Sequence, residues 1–408
     1  MIVGDRVIRR VSVVEPDTER VRERQRIVIE RGVITEVADD PGDAVRDGEL
    51  DGADRYAVPG LIDCHVHVTA YTADEHALTL QSPSYVAARA VDELAATLAR
   101  GFTTVRDAAG ADHGLAQAIE EGHVVGPRLF FGGKALSATG GHADLRTAGQ
   151  NVHDTHYAMP GLGRVCDGVT EVRRAARDEI RRGAHHLKLM LSGGCASLTD
   201  RIDSLQYSDA EITAAVEEAA AAGIYCAAHA YTAAAVNRAL RLGVRTVEHG
   251  NLLDETSIAA FQETGAFYVP TLVTYAALAE EGRAHGLAPD SHAKVFDVLD
   301  GGLQALRLAD QDGLPIAFGT DLLGDMRRRQ NEEFALRAEV QTPGAVLRSA
   351  TTTAAELLNQ RGRLGVIAPG AHGDLLLTQH DPLADIRPLA SPADEITAVI
   401  QAGQVRRA

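Results

Sequence analysis

The chain has 408 residues, 45% of them hydrophobic and 24% charged, a globular balance that excludes low-complexity disorder and suffices for one large domain or two medium ones. Against 40 Lys and Arg stand 57 Asp and Glu, a formal net charge of −17, so a duplex-binding role has little support and no nucleic-acid partner is expected. The opening MIVGDRVIRRVSVVEPD breaks its apolar stretch with Asp5, Arg6, Arg9 and Arg10, and no later segment approaches ~20 uncharged apolar residues, which excludes a signal-peptide core and a helical membrane span. A soluble, cytoplasmic protein with no membrane partner is expected. Cys64, Cys166, Cys195 and Cys226 form no CxxC pair, so reduced thiols are expected rather than disulfides or a thiolate zinc site.

Residues 6–57 read as short β runs, VIRRVSVV, QRIVIERG and VITEVAD, separated by turn-forming residues. From 57 to 322 the texture changes to eight short apolar runs: AVPGLIDCHVHV, TTVRDAAG, RLFFGGK, HHLKLML, YCAAHAY, RTVEHG, FYVPTL and PIAFGTD. Between them lie stretches of helical spacing such as SYVAARAVDELAATLARG, VTEVRRAARDEIRRG and SDAEITAAVEEAAAAG, several closed by Gly. Eight strand-then-helix units over roughly 265 residues predict an α/β fold of the (β/α)8, TIM-like barrel type, and no GxGxxG follows the first strand to suggest a doubly wound sheet. Helical segments are expected near 330–339 and 343–360, after which GVIAPGAHGDLLLTQHD and ITAVIQAGQVRR return to a β texture. Each β-rich end is too small to bury a core alone. The expected organisation is a composite β-sandwich domain from 1–57 plus 363–408 and a catalytic barrel over 58–362.

A barrel of this kind gathers its active-site groups at the C-terminal ends of its strands. The first run ends in His65 and His67, and alternation puts both imidazoles on one face, where two nitrogens can meet one metal ion. Lys188 sits between Leu187 and Leu189 in the fourth run, while the fifth, sixth and eighth end in His229, His249 and Asp321. Each has a plainer alternative taken alone: a hydrogen-bonded strand-end histidine, a helix N-cap aspartate, an interface lysine. Jointly the plainer readings require four His, one Asp and a rare Lys to converge on one barrel face by accident, lysine standing at only three positions, Lys134, Lys188 and Lys294, while the other 37 basic residues are arginine. His113, His123, His153, His156, His285, His292, His372 and His380 are left as ordinary polar residues.

The set is chemically complete for two divalent ions, zinc being the expected metal. A neutral lysine amine in a confined site can take up carbon dioxide, and the two oxygens of the resulting carbamate can bridge two metals. The expected assignment places one ion on His65, His67, the Lys188 carbamate and Asp321, and the other on the same carbamate, His229 and His249, with a hydroxide bridging the pair as nucleophile. Asp321 is then placed to accept the proton of that water and pass it to a leaving amine.

PGLIDCHVHV, LKLMLSGG, AAHAYT, TVEHGN and FGTD resemble the five signature segments of the amidohydrolase superfamily, in the order of its binuclear, carboxylated-lysine members, and GVIAPGAHGDLLLTQHDPL resembles its C-terminal sheet segment. A finer resemblance, carried by ATGGHAD, SGGCAS, IDSLQYS and HAYT, is to the branch holding Xaa-Pro dipeptidases, imidazolonepropionases and ochratoxin-type amide hydrolases. That resemblance implies substrate contacts for His142 and Tyr231. Two residues beyond His229, the Tyr231 hydroxyl can face the same cavity and polarise the scissile carbonyl, while His142 can bind the carbonyl or a carboxylate.

The leading functional expectation is a metal-dependent hydrolase of an amide bond acting on a small molecule: a dipeptide, Xaa-Pro or other Xaa-Xaa, or an N-acyl amino acid. Hydrolysis of an aryl amide, urea or carbamate uses the same metal set and stays open. A mononuclear imidazolonepropionase-like hydrolase or deaminase is disfavoured because it needs no bridging carbamate at Lys188. A silent scaffold should have lost ligands, and none of the six is missing. A homo-oligomer is expected. Arg327, Arg328 and Arg329 could meet a substrate carboxylate, although such a run is usually solvated.

Overall fold

The computed structural model describes residues 1, 3–42, 44–147, 149–150, 160–197 and 199–407. Alternating burial organises the N-terminal strands β1 (Arg6–Glu15) and β2 (Arg20–Glu30), with a register shift between Ile8 and Val11, and β3 (Val33–Asp39) pairs with β2; Ile8, Val11, Val13, Ile27 and Ile29 turn inward. The short β4 (Leu50–Asp51) and β5 (Tyr56–Pro59) both pair with β1 in parallel. Three C-terminal strands, β15 (Leu375–Thr378), β16 (Ile396–Gln401) and β17 (Gln404–Arg407), extend this sheet through β5, and Ile34 N of β3 donates at 2.9 Å to Ala371 O, just ahead of β15. Both chain ends fill the interior, Ile8, Val13 and Ile27 against Leu375, Leu377, Ala398 and Ile400.

Gly60 separates β5 from the first barrel strand, β6 (Leu61–Val66). The barrel continues through β7 (Phe102–Asp107), β8 (Arg128–Phe131) with β9 (Ala135–Ser137), β11 (His186–Met190), β12 (Tyr225–Thr232), β13 (Thr246–Leu252) and β14 (Phe267–Val269), and β10 (Gly163–Val165) adds an outer strand to β9. All of these pair in parallel. The third strand is split in two: β8 ladders onto β7, and beyond Gly132 and Gly133 the chain resumes as β9 against β11. The eighth, residues 314–321, joins the first and seventh: Ala317 N donates to Tyr268 O at 2.9 Å and Cys64 N to Phe318 O at 2.7 Å. The fold is a (β/α)8 barrel with a small β-sandwich domain built from both termini.

After the first strand come α1 (Glu75–Thr79) and α2 (Pro83–Ala99), and α3 (His113–Glu121) to α7 (Glu255–Thr264) follow the next strands. Asp112 and Asp254 cap α3 and α7 by accepting backbone N–H groups, and Ser208 with Glu211 forms a capping box on α5 (Asp209–Ala221). Between the seventh and eighth strands the chain inserts α8 (Leu272–Glu281) and the 23-residue α9 (Pro289–Gln311). The segment expected as one helix at 343–360 is two, α11 (Pro343–Ser349) and α12 (Thr352–Leu357), preceded by α10 (Glu332–Arg337). Strands β15 (Leu375–Thr378), β16 (Ile396–Gln401) and β17 (Gln404–Arg407) complete the terminal sheet. Among the described residues no helix is long and apolar enough to cross a membrane.

Candidate active site and metal centre

Strand alternation turns Leu187, Leu189, Ala228 and Ala230 outward into the helix-facing core and leaves Lys188, His229 and Tyr231 for the barrel interior. His65, His67, His142, Lys188, His229, Tyr231, His249 and Asp321 all line one cavity at the C-terminal end of the barrel. Backbone geometry departs from the ordinary at three places here: His249, Thr271 and Asp321 adopt φ of 74°, 45° and 53°. Non-glycine residues hold that left-handed region only when their surroundings over-determine it. At His249 the kink overrides alternation, so that Glu248 and His249, neighbours in sequence, both serve the interior.

Each imidazole has one nitrogen committed to the protein. His67 Nδ1 lies 2.7 Å from Ala109 O and His229 Nε2 3.0 Å from Gly193 O; a carbonyl only accepts, so both ring nitrogens must donate. His65 Nδ1 is 2.7 Å from Glu248 Oε2, and His249 Nδ1 is 2.8 Å from Thr271 Oγ1. Glu248 is itself ionised: burial pushes its carboxyl up, but the Arg106 guanidinium, 2.8 Å from both oxygens, holds it well below the usual range. At His65, His67 and His229 the opposite nitrogen is thereby left as a lone-pair donor in a tautomer fixed from outside, as metal-binding histidines require, and at His249 the Thr271 hydroxyl can accept from Nδ1 to the same effect.

His65 Nε2 and His67 Nε2 converge on Asp321 Oδ1 at 3.3 and 3.1 Å, and ligand atoms of these three residues lie within 4.8 Å of one another. Burial alone would raise the Asp321 carboxyl; the two imidazoles hold it well below its usual range. Its Oδ2 has no hydrogen-bond partner among the described residues and lies 3.8 Å from His249 Nδ1. Lys188 is 1% exposed and has no hydrogen bond or ion pair among the described residues. Burial lowers its amine to about 8, which favours the neutral form that carbon dioxide attacks. Four imidazoles, a carboxylate and a partnerless buried amine therefore fit a divalent-metal centre with a carboxylated lysine.

Around this set, Tyr275 Oη donates to Tyr231 Oη at 3.1 Å, and the Tyr231 proton meets only the weak acceptor Cys195 Sγ at 3.6 Å. That proton is available to a substrate oxygen. His142 stacks on His229 with ring centres 4.2 Å apart, and its Nδ1 is 3.0 Å from Ser197 Oγ. Arg327, Arg328 and Arg329 do not line the cavity: Arg327 donates to Gly324 O and Val68 O, and the other two pair with Glu280, Glu281 and Glu332. His113, His123, His285, His292, His372 and His380 lie outside the cavity lining, and His153 and His156 fall outside the described residues. Sequence reasoning passed over Glu248, Arg106, Thr271, Tyr275 and Glu75. Only Glu248 left a signal, as the acidic residue beside a candidate ligand in TVEHG.

Fold and site together define a (β/α)8-barrel enzyme with a candidate metal centre. The chain belongs to the amidohydrolase family, whose model matches residues 56–406. It is similar to the ochratoxinase of Aspergillus niger, 33% identical over 362 residues that span 85% of this chain and 75% of that protein. A prolidase solved in complex with N-methylphosphonate-L-proline superposes with a TM-score of 0.95 at 45% identity, covering 98% of this chain and 99% of that one. A Xaa-Pro dipeptidase with methionine bound in its active site gives 0.86 at 28% identity, covering 99% and 100%.

Proposed function

We propose that the protein hydrolyses the amide bond of a dipeptide, Xaa-Pro or other Xaa-Xaa. Family membership supports the reaction class, and the likeness to a prolidase and a Xaa-Pro dipeptidase supports the substrate. The observation that carries the reading is the convergence of His65, His67 and Asp321 beside the partnerless Lys188. His65, His67 and Asp321 would hold one divalent cation, His229 and His249 a second, and Lys188, carboxylated by carbon dioxide, would bridge them. When bound, such cations, zinc in our reading, supply Lewis acidity and water activation at neutral pH. The protein's own groups do the rest. Asp321 keeps Oδ2 free to take a proton from the attacking water and deliver it to the departing nitrogen, which cannot leave as an amide anion. Tyr231 donates to the carbonyl oxygen as negative charge develops there, with Tyr275 fixing the hydroxyl. Leu162, Met190, Leu278 and Leu323 give the cavity an apolar wall for a substrate side chain. The same wall and the ochratoxinase likeness favour an aryl amide as the second reading.

The test is turnover of a dipeptide panel with metal content measured on the same preparations of wild type and Asp321→Asn. The variant keeps one oxygen donor and loses basicity, so metal is expected to stay while kcat falls ~10²-fold or more. A metal-replete variant with wild-type turnover would remove Asp321 from the proton path.

A further inference from the structure

One carboxylate in the cavity has no task in this scheme. Glu75 begins α1 and lines the same cavity as the histidines. Its helix is fixed in place: Asp74 Oδ1 accepts Ala77 N at 2.8 Å, His76 Nδ1 lies 2.9 Å from Leu145 O, and Leu78 is fully buried. The side chain has no hydrogen bond or ion pair among the described residues, and it is not in the group whose ligand atoms converge on a common point. Burial pushes its carboxyl up to about 7, with His67 opposing and Asp321 and Asp200 adding to the rise. A half-buried carboxyl group that faces the cavity without a protein partner is stabilised by any cationic or N–H donor that enters.

The surrounding chemistry narrows that ligand. Asp321 and Glu75 are the two carboxylates of the lining, so a substrate carboxylate placed near Glu75 would be repelled. In a dipeptide the α-ammonium is two bonds from the scissile carbonyl carbon, so a group that recognises it must share the cavity with the reacting centre. An N-acyl amino acid carries no charge at that place.

We propose that Glu75 binds the free α-ammonium group of the substrate and so selects dipeptides with an unblocked N-terminus over their N-acylated counterparts. This rests on the amide-hydrolase reading of the site for the substrate's orientation, while the binding itself needs no turnover. Two probes separate the questions: the non-hydrolysable ketomethylene isostere of Ala-Ala with a free amine, and the same compound N-acetylated. Calorimetric titration of metal-loaded wild type is expected to show the free-amine probe bound ~10-fold or more tightly, the scale of one desolvated charge pair. Glu75→Gln, close to isosteric, should erase that preference while binding the acetylated probe as wild type does. In hydrolysis, Glu75→Gln should raise KM for Ala-Pro with little change in kcat and leave N-acetyl-Ala-Pro unaffected. No preference in wild type, a preference retained in Glu75→Gln, or equal weakening of both probes would each overturn the assignment. If the preference and its loss hold but neither peptide is hydrolysed, the ammonium site stands and the hydrolase reading falls. If dipeptides are hydrolysed without the preference, the reverse is true.

Discussion

At Glu248 one carboxylate serves three partners, orienting His65 through Oε2 at 2.7 Å while both oxygens accept Arg106 Nη2 at 2.8 Å and Oε1 accepts the Thr246 hydroxyl. Arg106 and Glu248 are fully buried, and Arg106 donates further bonds to Thr246 Oγ1 and Cys64 O. Breaking one side of such a pair leaves an uncompensated charge in the interior, which costs more than the pair contributes. Glu248→Gln is therefore expected to lose about 3–5 kcal/mol of stability. Loss of the charged acceptor behind His65 should also weaken metal affinity by ~10- to 100-fold. The two effects separate in the double variant Arg106→Met with Glu248→Leu, which removes both charges. Its denaturation midpoint should recover much of the loss, while metal content stays low. Recovery of metal together with stability would show that Glu248 acts on the fold alone and has no part in orienting His65.

Among elements, period and turn chemistry account for what the sequence reveals. Apolar runs flanked by Gly-terminated helical spacing mark the barrel strands, since a strand buried on both faces reads as a short apolar run. The helix expected over 343–360 divides for a reason local pattern does not carry. Ser349 O accepts Phe318 N at 2.9 Å and Ala350 O accepts Ile62 N at 2.8 Å, so the barrel takes carbonyls the helix would have used. The division of the third strand depends likewise on which neighbour each half finds. Loop packing after β11 sets the position of His142. A Cβ at Gly194 would lie 1.9 Å from the His142 ring, while the backbone there has no positive φ that would bar alanine. Gly194→Ala should thus fold and bind metal normally, yet displace the ring that stacks on His229. Because displacing a substrate-positioning group by about an ångström costs ~10²-fold, kcat/KM for dipeptides is expected to fall on that scale. Undiminished kcat/KM would show that His142 does not touch the substrate.

On the scale of the whole molecule, His65, His67, His229, His249 and Asp321 were readable because they stand at or near the C-terminal ends of barrel strands, which closing the barrel brings together around Lys188 inside its own strand. The groups that support them were not, since Arg106 and Glu248 are 142 residues apart and Tyr275 reaches Tyr231 across 44. Neither distance leaves a periodic trace. The same closure buries His186 completely in the barrel interior, stacked on Tyr225 with ring centres 5.8 Å apart, and neither ring nitrogen has a hydrogen-bond partner among the described residues. Burial, with the Arg106 charge nearby, holds this imidazole well below its ordinary value. In the unfolded chain it titrates near 6.5. Below that pH the unfolded state takes up a proton that the native state refuses, so the stability of the native state falls as pH falls. The slope from this group is about 1.4 kcal/mol per pH unit, from roughly pH 6.5 down to the native value. His186→Leu removes both the unpartnered polar ring and its titration. At pH 8, where both states of the wild-type ring are neutral, the variant is expected to be at least as stable, because an unsatisfied buried polar group costs about 1–3 kcal/mol. Between pH 7 and pH 5 its advantage should grow. Chemical denaturation of metal-free wild type and His186→Leu across that range checks this, and parallel stability curves for the two proteins would show that His186 is not held neutral in the native barrel.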